Sequence, residues 1–344
     1  MGLSKYKVKV GYMTSNIIMT IPILMISAVF TFLSSILLIK IEKNRGILCK
    51  DVHKPYEYYL PCIGGFPLYI GNLTGILLLM YFKFLDLRLS ISIILVMTCG
   101  LLIGFFDDIN GLRSRWKILL GLTPAIPLIL MGCYTPRPWI PFIGHARLHI
   151  LYPLLLLVSS TVYLNGANMI DTHNGLLPMF AFALSFFVLI LKIVTIHSIE
   201  DVVLASLFIA TLFVYLLFNM YPAKLFNGNT GAFLVGSILF LIVAVFRVEF
   251  YVIIASIPMF LNGFYYISSV KGFLQKEQVS RPTIVDGHGC IHPSRKIHPI
   301  TFIKLTLLIS GKPFSEKELV EILYLVYITT ASISFTICYI LGYN

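Results

Sequence analysis

Ile17–Ile39 reads IIMTIPILMISAVFTFLSSILLI, an unbroken stretch without one charged side chain. A helix rising about 1.5 Å per residue over this stretch spans the roughly 30 Å hydrocarbon core of a bilayer. Lys5, Lys7 and Lys9 precede it. The apolar run is longer than the core of a cleavable signal, so it is expected to remain as an anchoring first helix. Nine further apolar runs follow, at about 66 to 84, 89 to 106, 118 to 133, 148 to 164, 176 to 196, 202 to 220, 231 to 246, 250 to 270 and 319 to 341, with Lys83 and Lys192 tolerated near ends. The pattern predicts an all-α, polytopic integral membrane protein with about ten transmembrane helices. It is expected to form a single membrane domain over residues 1–344, with one long loop at about 271–318.

Composition points the same way. Fifty-eight per cent hydrophobic residues, 12% charged residues and a mean hydropathy of +0.90 leave too little polar surface for a soluble domain. The net charge of +11 would suggest nucleic acid in a soluble chain. Here 17 of the 26 lysines and arginines fall in the odd-numbered loops, the asymmetry of cytosolic loops, so no nucleic-acid partner is expected. Odd loops on the cytosolic side, with ten helices, put both termini on the far side. The cysteines Cys49, Cys62, Cys99, Cys133, Cys290 and Cys338 are scattered, contain no CxxC pair and read as packing residues.

Polar chemistry concentrates in those odd loops. The third contains Asp107-Asp108 at a helix end, followed by Arg113, Arg115 and Lys117. Adjacent carboxylates repel, and a divalent cation, a proton or nearby basic groups must offset the repulsion; a magnesium-phosphate site supplies all three. An interfacial acidic cap beside ordinary cytosolic cations is the plainer reading. The fifth loop, NGANMIDTHNGL over 165–176, places Asn165, Asn168, Asp171, His173 and Asn174 at a membrane boundary, where such density is costly unless it binds something. If the preceding helix continued, Asn168, Asp171 and Asn174 would share one face. The seventh loop, YPAKLFNGNTG over 221–231, has the glycine and amide content of a turn that approaches phosphate, with a helix N-terminus aimed at it.

The ninth loop carries Lys271, Lys276, Arg281, Arg295, Lys296, Lys304, Lys312 and Lys317. It reads as an anion-binding lid or as a basic loop beside anionic headgroups. His288, Cys290 and His292 in it are too tightly spaced for the usual structural zinc patterns.

These loops, in this order, resemble the polyprenyl-phosphate N-acetylhexosamine-1-phosphate transferases (glycosyltransferase family 4). The resemblance rests on Phe106-Asp107-Asp108 with Leu112, Arg113 and Lys117, on the Asn165-x-x-Asn168-x-x-Asp171-x-x-Asn174-Gly-Leu run, and on Tyr221-Pro-Ala-Lys224-x-Phe226-x-Gly228-x-Thr230. The eukaryotic, dolichol-using branch looks most similar, because Lys50-Asp51-x-x-Lys54 precedes Pro61. The resemblance implies transfer of N-acetylglucosamine 1-phosphate from UDP-N-acetylglucosamine to dolichyl phosphate in the endoplasmic reticulum membrane, the first step of dolichol-linked oligosaccharide assembly for N-glycosylation. The site would face the cytosol and the termini the lumen. It implies Mg2+ held by Asn168 and position 229, catalytic roles for Asp107, Asp108, Lys117 (on the diphosphate) and Asp171, and substrate binding by Lys50, Asn174 (near the nucleotide) and Arg281. It leaves room for a homodimer.

Three positions depart from the family pattern. Asn229 stands where aspartate is usual and brings no charge to a metal, Cys62 stands where glutamate follows the first-loop proline, and the ninth loop lacks a legible Arg-His-Arg segment. Asp171 is expected to supply the charge that Asn229 lacks. The competing readings are a catalytically divergent or inactive homologue and a polytopic transporter. A transporter would concentrate its charges near the bilayer midplane rather than at helix ends.

Overall fold

The computed structural model describes residues 2–195, 198–272 and 279–343, with residues 2–17 described only by their helical backbone. In chain order the helices are α1 Gly2–Arg45, α2 Gly65–Tyr81, α3 Leu87–Asn110, α4 Ser114–Leu120, α5 Ala125–Met131, α6 Leu151–Ile170 and α7 Leu176–Val194. They continue with α8 Ile199–Asn219, α9 Gly228–Val245, α10 Glu249–Ala255, α11 Ile257–Val270, α12 Phe302–Ser310 and α13 Glu316–Ile340. Among the described residues eight stretches are long and apolar enough to cross a bilayer, or nine if α10 and α11, bent by 56° at their break, form one span; the 17-residue α2 is a shorter apolar helix. The expected all-α membrane architecture is met. Lys5, Lys7 and Lys9 carry no described side chains, and Lys276 lies outside the described residues.

Two expected spans are broken, both at proline. The run at 118 to 133 divides into α4 and α5, where Pro124 and Pro127 remove backbone donors. The run at 250 to 270 bends where Pro258 opens α11. Other ends are set by caps. Asp86 accepts from the N–H groups of Arg88 and Leu89 at the start of α3, Ser198 caps α8, and Ser315 forms a reciprocal capping box with Glu318 at α13. Gly111, at φ 65°, closes α3 in the left-handed conformation.

Packing is organised around α9, in which every residue from Thr230 to Ala244 is buried. Gly100 and Gly104, one turn apart on α3, let that helix approach α9 closely. A Cβ on Gly104 would lie 2.2 Å from the Asn229 carbonyl oxygen, and one on Gly100 would lie 2.8 Å from the Phe233 carbonyl oxygen. Close approach through small residues is how membrane helices gain van der Waals contact when lipid offers no hydrophobic driving force. The same device joins α1 to α2, where Ser27 and Thr31 face Gly75 and Gly71 and return their hydroxyls to carbonyls four residues back. The outer faces stay apolar: Met19, Met25 and Leu33 of α1 are exposed, as a lipid-facing surface requires. Lys192 turns inward, buried against Asp201 at 3.2 Å rather than reaching for water.

The strands are short and lie in the connections. β1 Leu48–Lys50 and β2 Tyr59–Pro61 form an antiparallel hairpin, as do β3 Trp139–Ile140 and β4 Gly144–His145. β5 Thr283–Val285, β6 Cys290–Pro293 and β7 Phe314–Ser315 make a three-stranded antiparallel sheet in the ninth loop, in that order. The described residues of the ninth loop, read from sequence as one long basic loop, thus contain a small sheet and α12.

Candidate active site

The close α3–α9 approach delivers the end of α3 to the start of α9. Asp107 and Asp108 point to different partners, which relieves their repulsion. Asp107, buried, accepts from the Leu112 N–H at 2.8 Å through Oδ1 and pairs with Lys117 Nζ at 2.6 Å through Oδ2. Asp108 accepts from the N–H groups of Asn229 (2.9 Å) and Thr230 (2.8 Å) and from the Thr230 hydroxyl (2.5 Å). The helix N-terminus read from sequence as a phosphate cradle is thus occupied by a carboxylate of the chain itself. The same orphan N–H groups and macrodipole that favour a phosphate favour Asp108.

Next to this junction lies a cavity of about 330 Å³ lined by Lys50, Asp108, Asn168, Asp171, Asn174 and Asn229, among others. Six of the nine sequence-predicted site residues therefore share one cavity, on the face where α1, α3, α6 and α8 end and α2, α7, α9 and α13 begin. Asp107 and Lys117 sit behind Asp108 as an ion pair. Arg281 is exposed and lines no part of the cavity, yet its charge acts on His53 and Lys50 of the first loop. α6 ends at Ile170, so the three fifth-loop residues do not share a helical face; Asn168 stands in the last turn, Asp171 caps it and Asn174 follows in the turn before α7. They still converge, because the chain folds back over Gly175 at φ 75°. Asn165 does something else, tying α6 to α4 through the Lys117 carbonyl.

The donor set suits a hard cation. The side chains of Asn168 and Asn229 make no hydrogen bond among the described residues, so two amide oxygens stand uncommitted on a cavity that also carries the carboxylates of Asp108 and Asp171. All-oxygen donors with few charges are what Mg2+ takes, its remaining sites filled by water and phosphate. Another acidic group, Asp51, His53 and Glu316, brings ligand-type atoms within 4.8 Å of one another. The ammonium of Lys54 already sits there, 2.5 Å from Glu316 and 4.0 Å from Asp51, and neutralises it. His288, Cys290 and His292 form no such group among the described residues; His292 pairs with Asp286 at 2.8 Å, which holds the Asp286 carboxyl down at about 2.

Several residues of this region were not singled out from sequence. Glu42, buried at the end of α1, accepts from the Cys62 N–H at 2.6 Å and the Ile63 N–H at 3.3 Å. A carboxylate thus reaches the segment where the first-loop glutamate is missing, from a helix end that reads as ordinary cytosolic charge. Cys49 and Cys62 are joined in a disulfide on the cavity wall, contrary to their reading as packing residues; 12 intervening positions and no repeat of spacing gave no signal for it. The bridge clips β1 to the segment that docks on the seventh loop through Phe226 N–H to Pro61 O (2.8 Å) and Gly64 N–H to Asn227 O (3.1 Å).

His53 and His173 stack with ring centroids 4.0 Å apart on the same wall. Burial pulls His53 down to about 4, with the positive charges of Lys54 and Arg281 adding to this and Asp51 opposing it. Burial, and then His53, holds His173 well below the ordinary histidine range. Both rings are neutral at pH 7.

The sequence profile described as glycosyl transferase family 4 matches residues 90–247, from α3 through α9. The phospho-N-acetylmuramoyl-pentapeptide-transferase of Clostridium beijerinckii is 30% identical over 229 residues, covering 62% of this chain and 67% of that protein.

This chain belongs to glycosyl transferase family 4.

An inferred UDP-N-acetylglucosamine–dolichyl-phosphate N-acetylglucosaminephosphotransferase of Saccharolobus solfataricus is 27% identical over 310 residues, 88% of this chain and 92% of that one. A protein of the same description from Sulfolobus acidocaldarius is 30% identical over 226 residues, 61% of this chain and 66% of that one. The family 4 match runs over Asp107, Asp108, Lys117, Asn168, Asp171, Asn174 and Asn229 and leaves out the first and ninth loops. Those two loops contain Cys62 and Arg281, where the family pattern fades.

Proposed function

We propose that this family 4 phosphoglycosyl transferase moves N-acetylglucosamine 1-phosphate from UDP-N-acetylglucosamine to dolichyl phosphate. The observation that carries the reading is the convergence of Asp108, Asn168, Asp171, Asn174 and Asn229 on one cavity at the end of the helix bundle. A lipid phosphate at the headgroup level and a water-soluble nucleotide sugar can meet there. In the reaction a phosphate oxygen of the lipid bonds to the sugar-bearing phosphorus, the P–O bond to UMP breaks, and UMP leaves with the electron pair.

The chain's own residues supply position and electrostatics. Asp108, fixed by three donors, orients the turn that presents Asn229. Asp107 holds Lys117 at the edge of the site. Asn168 and Asn229 would hold Mg2+, Asp171 contributing the charge that Asn229 lacks; the ion would offset the negative charge of the diphosphate and the leaving UMP. Lys50 at the rim and Arg281 in the ninth loop provide cations for incoming anions, and Asn174 lies at the nucleotide end.

The positive-inside count favours a cytosolic site, with lumenal termini and a single membrane domain. A location in the endoplasmic reticulum and a part in N-glycosylation rest on the resemblance to the dolichol-using branch; the relatives named above are archaeal and bacterial. All the residues used come from one chain, so the reading needs no homodimer. Asn229 favours one second reading, a non-catalytic homologue. Purified protein with both substrates and Mg2+ is expected to yield the lipid-linked sugar diphosphate and to be blocked by tunicamycin, which resembles the two substrates joined. No lipid product, under conditions where a control transferase makes it, would favour the second reading.

A further inference from the structure

Asn174 does not present an ambiguous amide to the cavity. It is 6% exposed, its Nδ2 donates to Glu316 Oε1 at 2.9 Å, and Oε2 of the same carboxylate receives the Lys54 ammonium at 2.5 Å. Burial alone would lower Lys54, but its hydrogen bond to Glu316 and the charges of Glu316 and Asp51 outweigh that and leave it raised, so Lys54 is charged. A carboxylate held against an ammonium only accepts hydrogen bonds. The group of Asn174 that faces Glu316 is therefore NH2, and its Oδ1, without a partner among the described residues, is left for a ligand. The backbone is held as well: the Tyr324 hydroxyl donates to the Asn174 carbonyl at 3.3 Å, and the Gly175 N–H donates to Asn219 Oδ1 at 3.2 Å. Next to it on the cavity wall the buried His173 Nε2 also lacks a partner.

We propose that Glu316 is a positioning residue that sets nucleobase selection, by locking the Asn174 carboxamide so that its oxygen faces the cavity and accepts the imide N3–H of a uracil-type base. The inference rests on the nucleotide-sugar reading above and goes beyond it by assigning base choice to a residue of α13 outside the family match. Uracil and thymine offer N3–H flanked by carbonyl oxygens. Cytosine offers a ring N3 acceptor beside an amino donor, and pairing with it in the same place needs the carboxamide turned over. Turning it over sets Oδ1 against Glu316 Oε1, two acceptors at hydrogen-bond distance with no proton between them. A site built to pair one hydrogen-bonding edge rejects the mismatched edge strongly, because its buried group is left unpaired.

The test is equilibrium binding of UMP and CMP to the full-length purified protein and to Glu316→Gln. The wild type is expected to prefer UMP by at least about tenfold. In Glu316→Gln the new amide can either donate to or accept from Asn174, the lock is lost, and the preference is expected to fall to within about threefold of unity. Lys54→Met serves as a second variant: the buried carboxylate left without its ammonium tends to protonate, becomes able to donate, and the preference falls in the same direction. A purely structural role for Glu316 would weaken both nucleotides alike and leave the ratio unchanged; that result overturns the proposal. Equal binding of UMP and CMP by the wild type, or binding of neither, overturns it too. The transfer reading stands or falls separately, on formation of the lipid product.

Discussion

Asp108 and Thr230 are joined twice, since Oδ2 of the carboxylate accepts both the backbone N–H (2.8 Å) and the hydroxyl (2.5 Å) of the first buried residue of α9. The bond is 122 residues long in sequence, and it makes the end of α3 serve as the cap of α9. Asp108→Asn keeps the size and removes the charge at a helix N-terminus. It is expected to lower stability by about 1–2 kcal/mol and activity by at least about 100-fold, since the turn bearing Asn229 loses its anchor. Thr230→Val keeps both N–H bonds and is expected to cost about 1 kcal/mol, read by thermal unfolding.

Gly104 is what lets that cap form. A Cβ there would sit 2.2 Å from the Asn229 carbonyl oxygen and 2.6 Å from the Thr230 Cα, backbone atoms that cannot swing aside. Gly104→Ala is expected to push α3 away from α9, costing about 1–3 kcal/mol or more and lowering activity with it. An alanine at Gly111, which has open space around it but φ 65°, is expected to cost only about 1 kcal/mol of backbone strain and to leave the α3–α9 packing intact. Comparing the two by melting temperature and activity separates packing from backbone effects.

Asp107 and Lys117 form a largely buried pair at 2.6 Å. Lys117→Met removes the cation that offsets the buried Asp107 carboxylate, and is expected to destabilise the protein by about 3–5 kcal/mol. The double variant Asp107→Asn, Lys117→Met is expected to recover much of that loss, because the uncompensated charge is gone. Denaturation of the three variants in one detergent gives the coupling directly.

The stacked histidines predict an acid-labile site. His53 has its folded pKa depressed to about 4 from an ordinary 6.5. Between these values the unfolded chain binds a proton that the folded chain does not, so the stability is fully present above pH 6.5 and is lost as pH falls toward 4. The contribution is on the order of 3 kcal/mol, and His173, also depressed by burial, acts in the same direction. His53→Phe, which keeps a ring on His173 but cannot titrate, is expected to flatten the dependence of melting temperature on pH between 4 and 6.5. An unchanged slope would contradict the assignment.

Reduction should loosen the same wall. The Cys49–Cys62 bridge closes a loop of sequence separation 13, for which chain-entropy arguments give about 3 kcal/mol. Dithiothreitol is expected to lower the melting temperature of the wild type and its affinity for UMP. It should leave a Cys49→Ser, Cys62→Ser double variant unmoved.

Much of this architecture was legible in the sequence because lipid imposes one strong rule. Charge-free runs such as Ile17–Ile39 have few alternatives to a spanning helix, and the two spans that broke did so at Pro124 and Pro258, within runs that hydropathy alone reads as continuous. The wall of the candidate site was legible where polar residues stood out against apolar neighbours, as Asn168, Asp171 and Asn174 do on one cavity. It was illegible where a residue had an ordinary local explanation. Glu316 looks like a first-turn acid completing a helix start, and Glu42 like one charge among Lys40, Lys43 and Arg45; both become part of the site only through partners distant in sequence, Asn174 and Cys62. Asp108 misled in the opposite sense, since the free helix N-terminus expected at α9 is filled by the residue expected to act beside it.

The proposed magnesium site is formed by Asn168 and Asn229, with Asp171 supplying the charge that Asn229 lacks. The measurement that decides it is UMP release from UDP-N-acetylglucosamine with dolichyl phosphate, titrated with Mg2+ in the wild type, Asp171→Asn and Asn229→Asp. The wild type is expected to release UMP only with Mg2+. Asp171→Asn should need at least about tenfold more metal, and Asn229→Asp less, as carboxylate charge at a hard-cation site is lost or gained. Metal dependence unchanged in both variants, or no UMP from the wild type at any magnesium concentration, would contradict the account.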